Sequence, residues 1–193
     1  ALSSLAESFS HKNVTTSFIS YATSISNYHR LQFASLKQTE IFTRTEETST
    51  AWGYVSLPDV VVEARAPVEY TYYLDFNDKW RFDLQDNVLY VYAPAIKWNT
   101  PAVDASAITY EVRKGKFKTA EALENLKKSI TSLSKLRAKE NIPLLKENAR
   151  KQTSEFVENW LEKSFTDGKN YPIKVIFPDE AKKGEVKLNV PKD

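Results

Sequence analysis

Val60 to Leu74 reads VVVEARAPVEYTYYL, and the order of those side chains decides the fold. Val60, Val62, Ala64, Ala66, Val68, Tyr70, Tyr72 and Leu74 recur at period two, with Glu63, Arg65, Glu69 and Thr71 between them. Successive side chains of a strand point to opposite faces, so this is a long strand with one buried face and one wet face. Pro67 lacks a ladder donor and is expected at a sheet edge or a bulge. Downstream, Asp75 to Asp78 is a polar turn, Trp80 and Phe82 follow, a second turn falls at Gln85-Asp86-Asn87, and Val88 to Tyr92 is a strand. Pro94 and Pro101 bracket a loop holding Trp98, and Ile108 to Val112 supplies one more strand.

Working outward, Leu2, Leu5, Ala6 and Phe9 have helical spacing, whereas Phe18, the Tyr21 region and the run from Leu31 to Glu46 read as extended chain. On the C-terminal side the pattern changes at Lys118-Thr119. With Thr119 as N-cap, Leu123, Leu126, Ile130, Leu133 and Leu136 recur at three and four, as on an amphipathic helix. Asn141-Ile142-Pro143 must break or kink it, because proline has no donor and disfavours helical geometry in the residue before it. A second helix carries Ile142, Leu145, Ala149, Phe156, Trp160 and Leu161, and stops at Thr166-Asp167-Gly168. Ile173 to Phe177 reads as a terminal strand, and Glu180 onward as a Lys-rich tail with room for a strand at Val186 to Val190.

The expected fold is therefore α+β: an antiparallel meander sheet, two long helices, and a C-terminal strand that rejoins the sheet. The 193 residues are read as a single domain, with an N-terminal helix and strand region over 1–30, the β meander over 31–112, helices over 118–166 and the strand and tail over 171–193.

Composition excludes several chemistries. With Cys at 0 there is no thiol nucleophile, disulfide, Cys-bound zinc or iron–sulfur cluster, and His at 2 leaves little for an imidazole metal site. The 4 glycines, at 53, 115, 168 and 184, are too dispersed for a GxGxxG or Walker loop, which needs several within one turn. No cofactor and no metal site are expected. No apolar run reaches the roughly 18 residues of a membrane span. The sequence begins Ala-Leu-Ser-Ser and contains no Met, which suggests a segment removed from its front.

The net charge of +2 hides an asymmetry: 0 over residues 1–50, −5 over 51–112, +8 over 113–151 and −1 over 152–193. The basic part starts at Arg113, Lys114, Lys116 and Lys118 and continues through Lys127, Lys128, Lys135, Arg137 and Lys139. Clustered cations gain from counterion release on a polyanion, whether nucleic acid or lipid headgroup, although a solvated helix face has the same composition.

Candidate chemistry is sparse. Asp75, Asp78, Asp83 and Asp86 lie in or beside turns, where oxygen-rich loops can hold a hard cation, but without the glycine of a calcium loop they read as turn residues bonding their own backbone. Ser132 and Lys135 match SxxK, a spacing that so many serines and lysines produce by chance. His11 and His29 have Tyr21 and Tyr28 as nearby partners, without a fixed geometry. Tyr70, Tyr72, Tyr90 and Tyr92 all fall at period two, with Trp80 and Phe82 between the strands. Such a stripe either stacks a ligand or protein partner or packs beneath the helices.

Leu74-Asp75-Phe76, Val91-Tyr92-Ala93-Pro94-Ala95-Ile96, Val103-Asp104, Gly115-Lys116-Phe117 and the helices from Ala120 to Phe165 carry a resemblance. Across roughly residues 31–177 the chain resembles a bacterial family catalogued as a domain of unknown function. Its members are typically a short extracytoplasmic domain behind one N-terminal membrane anchor. Here Tyr72 or Tyr73 replaces the family's glycine near the aspartate, and Pro94 alone stands for its proline-rich turn. The resemblance implies an anchor upstream of Ala1 and an extracytoplasmic, periplasmic or cell-surface location, and it implies no activity.

The leading expectation is a non-catalytic extracytoplasmic binding or scaffolding domain of a membrane-anchored protein. Its contact surface would be drawn from Tyr70, Tyr72, Trp80, Tyr90 and Tyr92 or from Arg113, Lys114, Lys116 and Lys118. The expected partner is another protein or a second copy, the membrane is met only through the anchor, and nucleic acid is not expected. The alternatives are a hydrolase using Asp75 with Asp104, or a serine with Lys135, and polyanion binding through residues 113–139.

Overall fold

The alternation in residues 60–74 is realised as strand β2 (Val60–Asp75) in the computed structural model, which describes residues 2–48 and 57–181. Every even-numbered side chain from Val60 to Leu74 is buried, and the odd-numbered ones are half-buried or exposed. Each fully buried valine or leucine there contributes roughly 1.5–3 kcal/mol. Strand β2 is flanked by β1 (Arg30–Glu46), the extended run expected from Leu31. It also pairs in series with β5 (Lys97–Trp98), β6 (Ala102–Val103) and β7 (Thr109–Lys114).

Pro67 sits where that series is interrupted. Val68 faces Val103 and Arg65 faces Thr109, so residues 104–108 lie opposite only Ala66 and Pro67. The Asp104 amide donates to the Pro67 carbonyl at 3.0 Å, and proline has no N–H to return the bond. The excess chain folds into a short 3-10 turn (Ala105–Ala107), capped by the Asp104 carboxylate accepting from the Ser106 amide at 3.1 Å. Pro67 thus faces the gap between two successive strands, and the register irregularity of this pairing lies elsewhere, between Val61 and Val62.

A second sheet is formed by β3 (Arg81–Gln85), β4 (Val88–Tyr92) and β8 (Ile173–Ile176). The two-residue hairpin loop is Asp86-Asn87, with φ of 50° and 60°. Two consecutive left-handed residues define the mirror-image turn whose twist matches the strands it joins, and Asp and Asn tolerate it. Strand β8 joins β4 in parallel, Leu89 facing Ile173 and Tyr92 facing Ile176. The strands read as one meander are therefore shared between two sheets, and the C-terminal strand rejoins the second. The suggested strand at Val186 to Val190 lies outside the described residues.

The N-terminal reading needs one correction. Phe18 and Tyr21 lie in helix α2 (Val14–Ile25), which follows α1 (Leu5–Ser10), and not in extended chain. The hydroxyl-rich composition disguised it, yet those hydroxyls bond within the helix: Thr23 donates to the Ile19 carbonyl at 2.8 Å and Ser24 to the Tyr21 carbonyl at 2.7 Å. Val14, Phe18 and Ala22, four apart, form its buried line.

Helices α3 (Thr119–Glu140) and α4 (Ile142–Ser164) meet at Asn141, where Pro143 required a break. Two details differ from expectation. Lys118, in left-handed conformation (φ 56°), stands at the N-cap of α3 in place of Thr119, without a side-chain cap. The buried line of α3 is Ala122, Leu126, Ile130, Ser134 and Ala138, so Leu136 is 54% exposed. Leu123 and Leu133 flank that line, half-buried.

The chain divides into two compact units, residues 1–34, 72–97 and 144–193, and residues 35–71 and 98–143. The first contains α1, α2, the β3–β4–β8 sheet and most of α4. Its core is aromatic: Phe18 contacts Phe76, Trp80, Phe82, Phe156 and Trp160 with ring centroids 4.9–5.9 Å apart. The second contains most of β1 and β2, with β6, β7 and α3. Among the described residues no helix is long and apolar enough to cross a membrane.

Candidate functional site

In the second unit, β7 leads through a four-residue turn into α3. Gly115 makes that turn possible. Its φ is +94°, and a Cβ there would lie 3.0 Å from the Asp59 carbonyl oxygen and 3.0 Å from Val60 Cα. Glycine alone combines that dihedral with that approach. The chain beyond it projects outward, leaving Lys116 and Lys118 exposed and Phe117 58% exposed.

The cations of this element fall into two groups. Arg113 is engaged, its Nη2 2.9 Å from Glu63 Oε1 and its Nη1 3.4 Å from Glu111. Glu63 is held below the usual carboxylate range, first by the Arg113 hydrogen bond and then by that of Arg65. Lys127 reaches Glu124 at 3.9 Å and lies 5.1 Å from the Tyr110 ring, and Arg137 pairs with the buried Glu40 at 3.3 Å. The second group is Lys114, Lys116, Lys118, Lys128, Lys135 and Lys139, which are exposed and form no ion pair with a carboxylate among the described residues. Lys128, Lys135 and Lys139, at i, i+7 and i+11, share one face of α3, with the exposed Leu136 beside them.

Polar contacts hold α3 against β1 in a fixed orientation. Asn125 Nδ2 donates to Glu46 Oε1 at 2.7 Å, and Arg44 Nε donates to the same oxygen at 2.7 Å. The Asn125 bond first, and then that of Arg44, draw the Glu46 carboxyl below its ordinary range.

The aromatic candidates are not brought together as one stripe. Tyr70 and Tyr72 are buried on β2, and the Tyr70 hydroxyl donates to Glu40 Oε1 at 3.0 Å. Trp80 is buried in the aromatic core, its Nε1 donating to the Asp75 carbonyl at 3.0 Å. Packing thus accounts for these three, and they offer no contact surface. Tyr90 and Tyr92 belong to the other sheet, half-buried on its outer face, with the Arg81 guanidinium 3.7 Å from the Tyr92 ring centroid. The period-two signal was correct for each strand, but it carried no information on which sheet each strand enters.

The remaining candidates are absorbed by local structure. Lys97 Nζ lies 3.5 Å from Asp75 and 2.9 Å from Asp78, so a lysine occupies the place between the two carboxylates, and the Asp78 hydrogen bond raises its pKa. Asp104 caps its own turn and falls in the other unit from Asp75. Ser132 and Lys135 are both exposed on α3. His11 and His29 are exposed, and the His29 carbonyl accepts from the Phe76 amide at 2.9 Å. Among the described residues no three carboxylates or histidines group as a metal site. Phe117 and Leu136 are two of several exposed apolar side chains among the described residues, and the ones that lie beside the exposed lysines in sequence. An isolated aromatic between lysines has no periodicity, and Leu136 fits a helical stripe that in fact turns away from it. No family model, curated protein or solved structure matches the chain.

Proposed function

We propose that the chain is a non-catalytic binding domain, carried on the extracytoplasmic side of a membrane-anchored protein, that docks onto an anionic partner through β7, the following turn and α3. The observation that carries this reading is the cluster of exposed lysines, Lys114, Lys116, Lys118, Lys128, Lys135 and Lys139, which form no close ion pair among the described residues, Lys118 acting on Glu46 only through space. Exposed cations clustered along one segment gain free energy by releasing counterions when they meet a polyanion. Phe117, 58% exposed among these lysines, adds an apolar contact of the kind that accompanies cations at an anionic lipid interface. The anchor and the extracytoplasmic side rest on the resemblance carried by residues 74–76, 91–96, 103–104 and 115–117.

Flotation with vesicles tests the lipid form of this reading. Wild-type chain is expected to float with vesicles containing anionic phospholipid and not with purely zwitterionic ones. Each basic residue near the surface contributes about 1 kcal/mol, so Lys114→Glu with Lys116→Glu and Lys118→Glu should abolish flotation. Equal flotation of wild type and variant would remove this element as the contact surface.

A further inference from the structure

We infer that the end of the second sheet where Arg81 lies over Tyr92 is a binding site for a carboxylate carried on an apolar body. The register of the sheet builds it. Arg81 of β3 faces Tyr92 of β4, and Tyr92 faces Ile176 of β8, so the three side chains form one row across the three strands. That row borders a cavity of about 300 Å³, whose other walls include Lys79, Phe177 and Pro178. All of these residues belong to the first unit.

The cavity sets two cations against apolar walls. The Arg81 guanidinium lies 3.7 Å from the centre of the Tyr92 ring. Stacking on an aromatic face fixes the guanidinium plane and leaves its N–H edge open, and that edge is the part that grips a carboxylate through two parallel hydrogen bonds. Among the described residues neither Arg81 nor Lys79 forms an ion pair. The acids nearest to the lining in sequence are each engaged by another group: Asp78 by Lys97 at 2.9 Å, Asp83 by the Gln85 amide at 2.7 Å, Asp179 by Lys146, and Glu180 by Arg150 at 2.8 Å. Ile176, Phe177 and Pro178 supply the apolar side, where a hydrocarbon body gains by leaving water.

Backbone donors decide between a carboxylate and a phosphate. Phosphate sites commonly cradle the anion with several backbone N–H groups. Along the wall of this cavity those groups are spoken for. Pro178 has no N–H, and that of Phe177 donates to Glu180 Oε1 at 3.0 Å. The Ala93 amide donates to the Ile176 carbonyl at 3.0 Å, and the Ala181 amide to the Phe177 carbonyl at 3.2 Å. What remains at the cationic end is the Arg81 fork with the Lys79 ammonium beside it, a donor set suited to two oxygens in one plane. The site is independent of the lysines on α3, and either proposal can fail without the other.

Titration of the full chain with phenylacetate, followed by amide NMR shifts, is expected to saturate and to move the signals of Ala93 and Phe177. Phenethyl alcohol lacks the charge and inorganic phosphate lacks the apolar body, so each should bind at least about tenfold more weakly. Arg81→Gln should lose binding by a similar factor, and Arg81→Lys should not restore it, because an ammonium has neither the fork nor the stack. Lys151→Gln, which changes a cation outside the lining, should leave the titration unchanged. A second arm separates the two sources of a carboxylate. A peptide ending in a free phenylalanine carboxylate that binds more tightly than phenylacetate, while its amide does not, assigns the site to a protein terminus, and a peptide no tighter than phenylacetate assigns it to small acids. The absence of a saturable shift up to about 50 mM would overturn the inference. An alcohol or phosphate that binds as tightly as the acid, or an Arg81→Lys chain that binds as wild type does, would do the same.

Discussion

Replacing Trp160 by alanine is expected to cost about 4 kcal/mol of folding stability, the largest effect of any single substitution considered for this chain. Trp160 is 0% exposed, and its ring lies 5.2 Å from Phe18, 5.2 Å from Phe82 and 5.5 Å from Phe165. Three elements of the first unit converge on that one side chain: α2, β3 and the end of α4. Alanine removes most of the buried area and leaves a cavity lined by rigid rings, which cannot collapse as aliphatic chains do. It also removes the indole N–H that donates to Ser17 Oγ at 3.2 Å. Trp160→Phe keeps a ring and should cost roughly half as much, since the edge-to-face contacts persist in part. Urea unfolding followed by circular dichroism measures both. A loss below about 1 kcal/mol for the alanine variant would mean that Trp160 does not sit in a packed interior.

Gly168→Ala is expected to cost about 3 kcal/mol. The reason is space and not dihedral freedom. A Cβ on Gly168 would lie 2.0 Å from the Leu161 carbonyl oxygen and 2.3 Å from its carbonyl carbon, so backbone must move against backbone. That movement would strain what Asp167 holds together: its Oδ1 accepts from the Leu5 amide at 2.9 Å and its Oδ2 from the Tyr171 hydroxyl at 2.7 Å. Burial raises the Asp167 carboxyl, but the Tyr171 and Leu5 bonds more than offset it and hold it below its ordinary value. A comparison with Gly115→Ala separates the two glycine roles. There the penalty is the left-handed dihedral at φ +94° together with contacts at 3.0 Å. Gly168→Ala with unchanged stability would show that the backbone at Leu161 does not approach as described.

How far the sequence was legible follows from which signals are local. Strand β2 was legible because its burial alternates strictly, and the Asp86-Asn87 hairpin because its turn chemistry lies within two residues. The break at Asn141 needed only proline. Helix α2 was missed because Ser and Thr, poor helix formers in isolation, there bond back to the preceding turn. The division into two sheets was not legible, since whether β4 pairs with β2 or with β8 depends on chain ends far apart in sequence. The basic segment was visible as charge. That Arg113 is engaged with Glu63 while Lys114 carries no carboxylate partner among the described residues depends on a pairing of β2 with β7, fifty residues away, and only the fold supplies it.

The measurement that bears most directly on the central claim is the salt dependence of heparin binding by wild-type chain and by Lys128→Glu with Lys135→Glu and Lys139→Glu. These three lysines are exposed on one face of α3, so the substitutions should leave the fold intact. Wild type is predicted to be retained and to lose affinity steeply with salt, as counterion release requires, while the variant should elute earlier with a shallower slope. Elution of the wild type at low salt, together with the variant, would contradict the account and return the α3 lysines to the role of a solvated helix face.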